Sequence, residues 1–139
     1  MKNKKALIDT DILSYFLRGN SNVQKNIGNY LQVHEILEFS LITYYEILSG
    51  LMAKKANKQI IAFENFCNES NIIPFTAKSA EISAELYANL RNSGKPLDDI
   101  DILIAGIARE NDMILVTNNE KHFSRIESLT IQNWFETIY

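Results

Sequence analysis

One cysteine, two prolines, five glycines and no long apolar run mark this 139-residue chain, and each shortage excludes something. The single Cys67 permits neither an internal disulfide nor a cysteine-built zinc centre, and it suits a reducing cytoplasm. With Phe63 and Phe66 beside it in a helical run, it reads as a packed core thiol and not a nucleophile. No segment approaches the roughly 18–20 apolar residues of a membrane span. The basic start, residues 1–5, is followed by only three apolar residues before Asp9, too short for a signal-peptide core. A basic surplus is missing as well: 14 Lys and Arg against 17 Asp and Glu leave a net charge of −3. Nucleic-acid binders usually carry the opposite balance. Three local clusters soften that objection: Lys54, Lys55 and Lys58; Arg91 with Lys95; Lys121 with Arg125. Each also reads as a solvated helix end. No Walker loop, dinucleotide-binding glycine pattern or G-x-S-x-G elbow occurs. His34 and His122 are isolated, with no metal-binding partner three or four residues on.

What is present is a hydrophobic content of 46%, enough for one sizeable core, so residues 1–139 are expected to form a single domain. Strands and helices alternate. Residues 5–8, 36–42, 72–75 and 113–116 read as short strands, with a weaker fifth at 129–131. Glu38 and Ser40 suggest partial exposure of the second, and Pro74 places the third at an edge. Helices are expected at 11–17, stopped by Gly19, and at 21–33, capped by Ser21. In 43–53 the residues Tyr44, Ile47, Leu48 and Leu51 recur on one face. A helix at 57–69 carries Ile60, Phe63 and Cys67; Thr76 caps another, running to Arg91, that stacks Ile82, Leu86 and Leu90. The last opens at Asp98 or Asp99 and continues as an apolar body, 102–108, which must be buried on most sides. This is the pattern of an α/β fold with three layers, α/β/α, around a mostly parallel central sheet.

Carboxylates gather where such sheets present chemistry, at strand carboxyl ends. Asp9 follows the first strand; Thr10 or Asp11 serves to cap the next helix, which accounts for Asp11 but not for Asp9. Glu46 fits a capping box with Thr43, and becomes a site candidate only by lying one turn into a helix after the second strand. Asp98, Asp99 and Asp101 are more acids than one helix start requires, and Asp101 abuts a wholly apolar body. Like charges about 4 Å apart repel by about 4 kcal/mol at an effective dielectric near 20. A divalent cation reverses that sign, and all-oxygen ligands select Mg²⁺ or Mn²⁺ over zinc. Such ions catalyse phosphoryl transfer.

Leu7-Ile8-Asp9-Thr10-Asp11-Ile12-Leu13, Thr43-x-x-Glu46, Gly94-x-Pro96-x-x-x-x-Asp101-Ile102-Leu103-Ile104-Ala105, and Leu115-Val116-Thr117-Asn118-Asn119 followed by Phe123 occur in that order. In this the chain resembles PIN-domain endoribonucleases of the VapC toxin type, from Ile8 to about Trp134. The resemblance implies a PIN-like α/β/α fold and a Mg²⁺- or Mn²⁺-dependent endoribonuclease leaving 5′-phosphate and 3′-hydroxyl ends. It also implies a cognate VapB-type antitoxin and a homodimer, with apolar residues on the 44–51 and 60–67 helices as candidates for the dimer surface. By motif position Asp9, Glu46 and Asp101 match the family's acids, with Asp9 and Asp101 as metal ligands. Asp99 falls where relatives are often acidic and is a further catalytic candidate, as an outer or second-metal ligand; Thr10 and Thr117 match supporting hydroxyls, and Thr43 and Asn119 are also expected to support the site. Two departures stand out. Asn119 replaces a fourth acid, and His122 occupies an often acidic place before Phe123.

Two rival readings exist. The PIN fold could persist as an interaction module that has lost turnover, as Asn119, His122 and the acidic balance would suit. A phosphatase of the haloacid dehalogenase type would use Asp9-Thr10-Asp11 as nucleophile and acid, but its metal-binding acid pair should follow Thr117, and Asp98-Asp99 precedes it.

Overall fold

The computed structural model describes residues 4–139; Met1 to Asn3 of the basic start lie outside the described residues. Five strands form one sheet: β1 (Ala6–Ile8), β2 (Glu38–Ser40), β3 (Asn71–Ile73), β4 (Ile114–Val116) and β5 (Ile131–Gln132). Their order is β3-β2-β1-β4-β5, and every pairing is parallel. The chain winds outward from β1 through β2 to β3, then returns to β1's other side for β4 and β5. The direction therefore reverses between β1 and β4, the place where open parallel sheets form a crevice at their carboxyl ends. The register there is Ala6 opposite Ile114 and Ile8 opposite Val116, so both strands end level.

Among the described residues seven helices cover the faces: α1 (Thr10–Leu17), α2 (Ser21–Leu31), α3 (Leu41–Ala53), α4 (Asn57–Asn68), α5 (Ala77–Asn92), α6 (Asp99–Glu110) and α7 (Glu120–Phe123). Strand side chains alternate between two cores, as a period of two requires. Ala6, Ile8, Phe39, Ile114 and Val116 meet Ile12, Leu13, Val23, Ile27, Ile47 and Phe63 from the first four helices. Leu7 and Leu115 meet Leu86, Leu90, Ile104, Ile107 and Phe123 from the last three. The result is the expected three-layer sandwich. Gly106 lets α6 lie against α5: a Cβ there would clash with Ser83 Oγ and stand 2.8 Å from the Ser79 carbonyl oxygen.

Local details differ from the sequence expectation. Asn20, not Ser21, caps α2 by accepting the Val23 N–H at 3.0 Å. Ser40, not Thr43, caps α3, accepting the Thr43 N–H at 3.0 Å, because the helix begins as soon as β2 ends. Glu38 and Ser40 are fully buried, not partly exposed: Glu38 accepts from Asn71 Nδ2 at 2.7 Å on the neighbouring strand. The fifth strand begins two residues later and ends one later than expected, and α7 has no periodicity long enough to announce it. Thr76 caps α5 as expected, in a box closed by Ser79, and Pro74 immediately follows the edge strand β3. On α3 and α4 the stripes from Tyr44 to Leu51 and around Phe63 face the core, leaving Leu41, Tyr45, Met52 and Ile61 as the exposed large apolar residues of those helices. Cys67 packs against the same core, and burial pushes its thiol up, away from the reactive thiolate.

Candidate active site

Asp9 sits where β1 stops and α1 starts, 5% exposed. Its own carboxylate, not Thr10 or Asp11, caps α1: Oδ1 accepts the Thr10 N–H at 2.9 Å. Its other oxygen, Oδ2, accepts the hydroxyl of the buried Thr117 at 2.7 Å, across the switch point from the end of β4. These two donors fix both oxygens without neutralising them. Burial first, then the neighbouring Asp11, pushes the Asp9 carboxyl up to about 8.

Asp11 was assigned by its sequence position to capping, and the structure instead brings it into the acidic cluster. Its Oδ1 accepts the Ile12 N–H at 2.7 Å and Oδ2 the Asn118 N–H at 3.1 Å, and burial raises its carboxyl as well. The loop after β4 that supplies Asn118 is itself held: buried Asn133 donates to Asn118 Oδ1 at 2.9 Å and to Glu120 Oε2 at 3.0 Å.

Glu46 comes from α3. Since Ser40 holds the cap, the capping box proposed for Thr43 and Glu46 does not form, and the glutamate is released toward the site. There it accepts the Thr10 hydroxyl proton at 2.6 Å. Thr10 Oγ1 also lies 2.9 Å from Thr43 Oγ1, so Thr10 and Thr43 stand behind Glu46, while Thr117 holds Asp9.

Asp101 enters from the first turn of α6. Burial pushes its carboxyl up, and the charges of Asp98, Glu46 and Asp11 add to that, while His122 opposes. Asp98 is the cap residue of α6, yet its side chain caps nothing, so the acids at this helix start exceed capping needs. Asp99 is exposed and makes no side-chain hydrogen bond or ion pair among the described residues; the structure does not bring it into the cluster. Asn119 Nδ2 reaches toward Asp101 Oδ2 at 3.5 Å and lies 2.9 Å from His122 Nδ1, which is 3.8 Å from the same carboxylate oxygen. His122, isolated in the sequence, is thus brought to the site by tertiary folding. A signal for it was available: three residues after Asn119, it shares one short helical turn.

The five clustered acids Asp9, Asp11, Glu46, Asp98 and Asp101 make no salt bridge with Lys or Arg among the described residues. Their ligand atoms are hard oxygens, and neighbouring charge adds to burial in raising the carboxyls of Asp9 and Asp101. No three Asp, Glu, His or Cys side chains among the described residues form a ready-made cage for an ion. Carboxylate oxygens with no paired lysine or arginine are the donor type that suits a hard divalent ion such as Mg²⁺ or Mn²⁺.

Beside Glu46 a cavity of about 310 Å³ runs between α1, α3 and α4. Leu17, Ile47, Leu51 and Phe63 line it, with Arg18 and Lys54 also on its wall.

Comparison with known proteins points the same way. The PIN domain family profile matches residues 6–129. Ribonuclease VapC2 of Rickettsia felis is 30% identical over 129 residues, covering 92% of this chain and 96% of that protein. The tRNA(fMet)-specific endonuclease VapC of Shigella flexneri is 25% identical over 131 residues, covering 94% and 98%. Among solved structures, VapBC2 from Rickettsia felis bound to a promoter DNA fragment superposes with a TM-score of 0.84 at 29% identity, covering 93% of this chain and 98% of that one. VapBC-1 from nontypeable Haemophilus influenzae gives 0.84 at 25% identity, covering 94% and 98%. A parallel five-stranded sheet whose carboxyl edge gathers acids, together with a family match over nearly the whole chain, shows that this protein belongs to the PIN-domain family.

Proposed function

We propose that this chain is a Mg²⁺- or Mn²⁺-dependent endoribonuclease, the toxin of a toxin–antitoxin pair. The observation that carries it is the gathering of Asp9, Asp11 and Asp101 at the β1/β4 switch point, where burial raises all three carboxyls and neighbouring charge adds to that at Asp9 and Asp101. Asp9 and Asp101 would hold the ion. When bound, it lowers the pKa of a coordinated water and stabilises the attacking and leaving oxygens of phosphoryl transfer. The chain's own groups do the rest. Thr117 and the Thr10 N–H fix Asp9, and the Thr10 hydroxyl aims Glu46 to orient a water and accept its proton. Asn119 and His122 hold Asp101 in place.

The VapBC complexes among its structural relatives support a VapB-type antitoxin as partner. The apolar groove beside Glu46, with Arg18 and Lys54 on its wall, suits an amphipathic antitoxin segment with acidic side chains. The relatives' names support an RNA substrate for this chain, and the homodimer is proposed from the family resemblance alone. The phosphatase reading is disfavoured, because a nucleophilic Asp9 would need to be open to substrate and it is 5% exposed and engaged by two donors.

The test is cleavage of RNA in Mg²⁺ by Asp9→Asn and Asp101→Asn proteins, following 5′-phosphate ends. Each substitution is expected to lower the rate at least about 100-fold. Cutting at the unaltered rate by either variant would refute the assignment.

A further inference from the structure

The acidic cluster creates a difficulty for its own substrate. A chain of net charge −3 repels polyphosphate, and the site's carboxylates repel it most. An RNA strand therefore needs a cationic hold near the site. Two basic residues far apart in sequence, Lys95 and Arg125, come together to form one.

The backbone builds this hold. α5 ends in a Schellman turn: the Gly94 N–H bonds the Arg91 carbonyl at 3.1 Å and the Lys95 N–H bonds that of Leu90 at 2.9 Å. Gly94 adopts φ +70° to make the turn, which fixes where Lys95 departs. Across from it, Arg125 Nη1 donates to the Pro96 carbonyl oxygen at 2.8 Å. That bond uses one of five guanidinium donors and leaves the others for a ligand. Gly94, Lys95, Pro96, Ser124 and Arg125 line an open trough of about 550 Å³, and Lys95 and Arg125 also border a second of about 350 Å³ that contains Glu127. Neither cation pairs with a carboxylate within 4.0 Å among the described residues. Both walls of the trough are close in sequence to residues of the site. Pro96 precedes Asp98 by two residues, and Arg125 follows His122, the imidazole beside Asp101, by three.

We propose that this trough seats backbone phosphates of the RNA strand flanking the scissile bond, through Arg125 and Lys95. The identity of the strand rests on the nuclease reading above. Phosphate contacts position a strand without reading its sequence, so the trough sets affinity and register, and base preference arises elsewhere.

The experiment measures binding of a fluorescein-labelled, mixed-sequence single-stranded RNA by anisotropy, with EDTA in place of Mg²⁺, across a salt series. The Lys95→Ala/Arg125→Ala double variant is compared with Lys25→Ala/Lys78→Ala, which removes the same charge from exposed positions on α2 and α5 outside the trough. The trough variant is expected to bind roughly tenfold more weakly at low salt. Its slope of log affinity against log salt should be shallower by about 1.4, the value for two lost contacts on a single strand. The control should match the unaltered protein. Equal slopes in the trough variant and the unaltered protein, an equal loss in the control, or no RNA binding by the unaltered protein would each overturn the proposal. The nuclease reading is tested separately by cleavage. A protein that binds RNA through the trough but never cuts it in Mg²⁺ keeps this inference and loses that reading. One that cuts, with the trough variant binding unchanged, does the reverse.

Discussion

Asp9 holds the sharpest residue-scale consequence. Its carboxyl is raised from 3.8 to about 8 in the folded chain, so between those values the folded state carries a proton that the unfolded state has released. Stability from this group is therefore complete below about pH 4 and is lost as pH rises toward 8, with a slope of at most about 1.4 kcal/mol per pH unit. In EDTA the melting temperature should fall from pH 5 to pH 8, and Asp9→Asn should flatten the fall. Added Mg²⁺ should raise the melting temperature at pH 8 more than at pH 5, because the ion favours the charged form. Equal profiles for the unaltered protein and the Asn variant would contradict this account. Asn119 offers a converse test. Its amide lies 3.5 Å from Asp101, so Asn119→Asp adds a hard oxygen and a charge to the cluster. Calorimetry should show Mn²⁺ binding strengthened roughly tenfold, and the melting temperature in EDTA should fall because repulsion is no longer relieved.

At the scale of elements, two contacts decide how the site is presented. The first is the cap of α3. Thr43-x-x-Glu46 satisfies the capping-box pattern, but β2 passes straight into the helix and Ser40 takes the role three residues earlier. Pattern alone is indifferent to that choice, because both residues are good caps; the length of the preceding strand settles it. Glu46 gains its contact with Thr10 from the outcome. The second contact is the close approach of α6 to α5 at Gly106, which sets the depth at which Asp101 enters the crevice. Gly106→Ala drives a methyl into Ser83 Oγ, whose hydroxyl bonds the Ile102 carbonyl at 3.1 Å. The expected cost is about 1–3 kcal/mol in urea denaturation, with nuclease activity falling along with it as Asp101 shifts. A variant as stable as the unaltered protein would show that the helices can separate freely.

Over the whole molecule, the C-terminal segment closes the side of the sandwich formed by α2. Asn26, 2% exposed, donates to the carbonyls of Trp134 at 2.9 Å and Thr137 at 2.7 Å, and accepts the Tyr139 N–H at 2.6 Å. Asn26→Ala strands those groups and should cost about 3 kcal/mol. Activity per folded molecule should hold, since Asn26 lies on the layer away from Asp101; a selective loss of activity would connect the tail to the site. This region was poorly legible in the sequence, because its order comes from side-chain bonds to backbone more than 100 residues away. By contrast, the alternation of strands and helices, the two-sided burial of the strands and the wholly apolar run after Asp101 were legible from local periodicity, since burial acts on each residue where it stands. The sequence therefore determined the layered architecture and the acids available to it. Only the tertiary structure decided which of them meet: Asp11 and His122 join, Asp99 stays outside, and Lys95 finds Arg125. The reason is geometric, for convergence at a strand-order reversal depends on crossovers and caps that no single stretch of chain encodes.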